Sequence, residues 1–139
     1  MTLFETIDRL KDIALKQPNV RTFIEGNVYE GLNASNVEYG VIVVTQGRHT
    51  SNEYFHNFNF SIFYVDRLTS DMEENRLEIQ SIGIEVLSNI AKLMADELDM
   101  ELNNLTFDVF TQRFKDECAG VYLTITFEVE KDLICSEDY

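Results

Sequence analysis

Two histidines, two cysteines and an excess of carboxylates are the side chains of this sequence best suited to chemistry. His49 falls in a polar stretch and His56 in an alternating apolar one. Neither stands in a recognisable arrangement with a nucleophile, as an imidazole base would require. A glycine-flanked serine elbow, a phosphate-cradling glycine loop and a dinucleotide fingerprint are all absent from the sequence. Cys118 and Cys135 stand 17 residues apart, each without a close partner, whereas structural zinc sites draw on close ligand pairs. Asp71, Glu73, Glu74 and Glu78 crowd the opening of a helical stretch and could be imagined around calcium or magnesium. Their interaction with the helix dipole accounts for them without a cation. The chain therefore reads as a non-enzyme, with no catalytic, cofactor-binding or metal-ligating residue and no cofactor.

Composition bounds the alternatives. Lys and Arg number 11 against 25 Asp and Glu, a formal net charge of −14. That excludes wrapping of nucleic acid, which requires clustered cations to neutralise phosphates, and argues against anionic membranes. At 139 residues, 45% of them hydrophobic, the chain fits one domain with a real core. We expect a single α+β domain over 1–131 and an acidic C-terminal tail over 132–139. Met1-Thr2-Leu3-Phe4-Glu5 enters an amphipathic pattern directly, unlike a signal peptide, and no apolar run approaches the roughly 20 residues of a membrane span. The expectation is a soluble protein from a reducing compartment, with no membrane partner.

Elements follow from periodicity. Thr2 and Glu5 form a capping box for a helix carrying Leu3, Ile7, Leu10 and Ala14, which Pro18 closes near Lys16. The irregular stretch after it admits a short strand around Val20–Ile24 and then a turn or helical turn. Val37–Gln46 contains the run Val41-Ile42-Val43-Val44 and suits a strand buried on both faces. Tyr54–Arg67 alternates His56, Phe58, Phe60, Ile62 and Tyr64 with Asn57, Asn59 and Ser61, a long strand with one wet face. Its length suggests a 37–67 hairpin projecting past the body. Ser70 opens a second capping box, and Leu105–Phe114 with Gly120–Lys131 makes a second hairpin. The order α-β-β-α-β-β gives an α+β fold, a mainly antiparallel sheet of about four strands with two helices on one face.

The helix from Ser70 to about Leu98 is too apolar for a single sheet. Glu74, Glu78, Ser81, Glu85, Ser88, Lys92 and Asp96 share one narrow stripe, and apolar residues cover the remaining arc of about 220°. A helix resting on one sheet needs roughly 100° or somewhat more. Ile79, Ile82, Val86 and Leu93 are therefore candidate subunit-interface residues. Asn57, Asn59 and Ser61, short and uncharged on the wet face of the long strand, are candidates of a second kind.

Gly26-Asn27-Val28-Tyr29-Glu30, followed by Val37-Glu38-Tyr39-Gly40-Val41-Ile42-Val43-Val44, resembles the small tail-terminator, tail-completion and neck ring proteins of tailed bacteriophages. The order of elements over the first hundred residues is similar as well. The resemblance implies a structural virion protein in a homo-oligomeric ring, six- or twelvefold, at the head–tail joint or tail terminus. Neck, portal or tail-tube proteins are its implied partners, and DNA passes through the channel without being bound. The implied location is the virion, after assembly in the host bacterial cytoplasm. An acidic lumen would repel phosphates and let DNA slide, with Arg48, Arg67, Arg76 and Arg113 placed to pair with acids across subunits. The competing expectation is an acidic, dimeric secretion or folding chaperone.

Overall fold

A computed structural model describes residues 1–33, 37–69, 72–113 and 116–131. The capping box at Thr2 is present: Thr2 Oγ1 accepts from Glu5 N–H at 3.1 Å, and Glu5 Oε1 accepts from Thr2 N–H at 3.0 Å. It opens α1 (Leu3–Leu15), which buries Leu10 and Ala14. β1 (Thr22–Glu25) and α2 (Val28–Leu32) follow, α2 capped by Asn27 Oδ1 accepting from the N–H groups of Tyr29 and Glu30. The chain continues through β2 (Val41–Gln46), β3 (Thr50–Ser51), β4 (Phe55–Arg67), α3 (Met72–Glu97), β5 (Asp108–Arg113) and β6 (Glu117–Glu130).

The strands form one sheet in the order β1-β2-β4-β6-β5, with β3 on the edge of β4. β1 is parallel to β2 and the remaining pairings are antiparallel. The fold is α+β with a mostly antiparallel mixed sheet, but with six strands and three helices among the described residues rather than about four and two. β3 has only two residues, too few for alternation to register in a sequence. The long strand does not project. Residues 60–65 of β4 pair with β2, and all of 55–67 pair with β6. β6 follows β4 along its whole length and satisfies the backbone groups on that edge, which makes β4 the spine of the sheet.

Register dictates the layers. Phe58 lies opposite Phe127, Phe60 opposite Ile125, Ile62 opposite Leu123 and Tyr64 opposite Val121. With Ile42 and Val44 they build the floor on which α1 and α3 rest. α2 lies on the other face at one end, burying Leu32 with Val41, Val43, Val65 and Cys118. Val41–Val44 are completely buried, as a strand covered on both faces should be. α3 approaches the sheet closely at Gly83, where a Cβ would collide with Val121 Cγ1 and stand 2.9 Å from Tyr64 Cδ2. Ser70 and Asp71 of the second capping box, Cys135 and the tail 132–139 lie outside the described residues. Among the described residues no helix is long and apolar enough to cross a membrane.

Candidate assembly surfaces

The apolar arc of α3 divides in three. Its centre meets the sheet: Ile79 and Val86 are only 4% and 3% exposed, packed with Leu87, Ile90 and Met94 into the core. Ile82 is partly buried against the same core. Of the four interface candidates on this helix, only Leu93 is open, at 46%. The burial of Ile79 and Val86 has a geometric cause. The surface of β4 and β6 takes up the middle of the arc, so surplus apolar surface appears at its margins.

One margin carries Leu77 and Ile84, 65% and 37% exposed, a heptad apart and so within about 20° of each other around the helix. Gln80 turns inward beside them, its Nε2 donating to the Phe110 carbonyl of β5 at 3.4 Å. Val109 pairs with the core residue Val121, so it faces the α3 side of this edge strand, and it too is exposed. The other margin carries Leu93, roughly 160–180° away round the axis at 100° per residue. It lines a groove of about 440 Å³ with Ile13, Lys16 and Asp96. The groove floor ties α1 to α3: Arg9 Nε and Nη2 both donate to the Glu97 carboxylate, and this bond holds Glu97 below the usual carboxylate range.

The second candidate surface is a ladder of short polar groups. Asn57, Asn59 and Ser61 lie opposite Glu128, Thr126 and Thr124 on the face away from α1 and α3. Asn59 Nδ2 donates to Thr126 Oγ1 at 2.8 Å, and the hydroxyls of Ser61 and Thr124 share a bond of 3.1 Å. Next in the ladder, Phe63 stacks on Tyr122 with centroids 5.0 Å apart, and Phe110 meets Phe63 edge-on at 6.2 Å. Thr124, Thr126 and Tyr122 were missed as site residues, although their alternation in β6 signalled a shared face. In a chain of net charge −14, the two uncharged pairs Asn59–Thr126 and Ser61–Thr124, bordered by Glu128 opposite Asn57, offer contact without like-charge repulsion.

The chemically suggestive residues have structural partners. Cys118 is buried and its thiol is pushed up to about 11, chiefly by that burial, so little thiolate exists at neutral pH. Tyr39 donates to Asp116 Oδ2 at 2.9 Å, and burial followed by this bond keeps its proton on well above the ordinary phenol range. The Arg67 guanidinium lies 5.7 Å over the Tyr39 ring, beside a groove of about 720 Å³ that Arg21, Glu38 and Asp66 also line. Opposed charges there leave no single sign to select a ligand. His56 Nδ1 lies 2.6 Å from Ser51 Oγ, a cross-strand pair joining β3 to β4. Its ring rests flat on Phe58, with centroids 5.3 Å apart, and a hydrocarbon face supplies none of the orienting acceptor that an activated serine needs. Among the described residues no group of His, Cys, Asp and Glu is placed to hold a metal ion. No protein-family model and no curated protein matches this chain.

Proposed function

We propose that this chain is a structural subunit of a homo-oligomeric ring, six- or twelvefold, at the head–tail joint or tail terminus of a tailed bacteriophage. One observation carries the reading: α3 leaves apolar side chains open on two opposite margins, Leu77 and Ile84 on one and Leu93 on the other. A dimer needs one self-complementary patch, whereas a head-to-tail ring needs two different surfaces on every subunit. Apolar side chains at the centre of a patch are what permanent interfaces bury. The uncharged ladder of Asn57, Asn59 and Ser61 is a further contact compatible with packing copies of an acidic chain. A net charge of −14 suits a conduit that repels the DNA it passes. Portal, neck or tail-tube proteins are the partners on either side of such a ring.

Light scattering and native mass measurement test this directly. The wild-type chain should form hexamers or dodecamers. Leu77→Glu/Ile84→Glu and, separately, Leu93→Glu should each leave a folded monomer, because a charge is cheap on a free surface and costly in a contact. Mixing the two variants should restore one contact and yield a heterodimer, which only a head-to-tail arrangement allows. Val86→Glu, at a position buried in the chain's own core, should lose cooperative unfolding instead. A wild-type monomer at all concentrations overturns the proposal, and a stable wild-type dimer favours the acidic chaperone.

A further inference from the structure

Along one edge of β4 two ladders fail to meet. β2 ends opposite Phe60 at Gln46, and β3 begins opposite Asn57 at Thr50. Asn59 lies in the step between them. Its carbonyl accepts from Gly47 N–H at 2.8 Å, while its N–H donates to Nδ1 of His49 at 3.0 Å. An imidazole nitrogen thus stands where a neighbouring strand would supply a carbonyl.

The tautomer of that imidazole is fixed from a distance. Gln46 Nε2 donates to Glu25 Oε2 at 3.3 Å, and an ionised carboxylate only accepts. The amide oxygen of Gln46 must then face His49, whose Nε2 lies 3.0 Å away and has to carry the hydrogen. Nδ1 is left bare to receive Asn59 N–H. The ring also packs edge-on against Phe58 and Phe60, with centroids 5.4 and 5.6 Å away.

We propose that residues 47–50 are an acid-released strap, latched to β4 by neutral His49. The latch needs a lone pair on Nδ1, so it exists while the ring is neutral and is lost once the ring takes a second proton. Protonation sets one donor against another, and the Asn59 amide loses its partner. The charged and titratable groups about the latch are Glu25, reached through Gln46; Arg48, its chain neighbour; and His56, which stacks on Phe58. The far end of the strap stays anchored in acid, because Asn52 Oδ1 accepts from the N–H groups of Tyr54 and Phe55. Release would therefore be local, freeing the Asn59 N–H between the Gly47–Asn59 bond and the Thr50–Asn57 pair, and it does not depend on the ring reading.

Hydrogen exchange of the full chain from pH 7.5 to 5.5, where imidazoles ordinarily charge, tests the latch once corrected for the intrinsic pH dependence of exchange. Protection of the Asn59 amide should fall about tenfold, the equilibrium equivalent of one ordinary hydrogen bond. His49→Phe should abolish that protection at both pH values, and His56→Gln should keep the wild-type response. The ring resonances of His49, followed in the wild-type protein, report its titration even if a variant fails to fold. Constant protection of Asn59 while His49 titrates would overturn the proposal, as would an acid response that survives in His49→Phe.

Discussion

Gly83 controls how near α3 comes to the sheet. Alanine there would gain about 1 kcal/mol in helix propensity, but its Cβ would meet Val121 Cγ1 and Tyr64 Cδ2 in the packed core. Overpacking of this kind costs about 1–3 kcal/mol, so Gly83→Ala should be net destabilising. Urea denaturation should show a lower midpoint with an unchanged slope. At this scale the sequence was half legible. A helical wheel measures the width of an apolar arc, but its phase against the sheet is decided by β4 and β6. Ile79 and Val86 therefore went to the core, while Leu77 and Ile84, in the same arc, stayed at its margin. The Asn59–Thr126 pair was beyond reach for another reason, since cross-strand partners depend on register and not on spacing within one strand.

Elements were more legible than their partners. The capping box of α1, the doubly buried run of β2 and the alternation of β4 and β6 are local patterns, and each survives in the fold. β3 and the placement of α2 on the opposite face are tertiary outcomes without a local signature. The tie between α1 and α3 is of the same sort, joining Arg9 to Glu97 across 88 residues. Because Arg9 lowers the titration of Glu97, its stabilisation is complete above the ordinary carboxylate range and lost as pH falls through the lowered value. Melting curves of wild type and Glu97→Gln should differ by about one or two degrees at pH 7, given the exposure of the pair. The gap should close as the pH approaches 3.

For the whole molecule, net charge opposes assembly wherever copies meet. Raising salt from about 0.05 to 0.5 M shortens the Debye length from over 10 Å to under 5 Å. Sedimentation should show the proposed ring strengthening over that range, whereas contacts built on opposite charges would weaken. Charge and size were readable at once from composition, but the two open margins of α3 required coordinates, since exposure is what remains after a chain has packed on itself. The unbroken pairing of β4 with β6 over thirteen positions has a mechanical counterpart. Backbone bonds lie perpendicular to the strands, so tension along the strands shares the load among all of them, while traction across the strands breaks them in turn. A chain built on that spine resists stretching in one direction and unzips in the other.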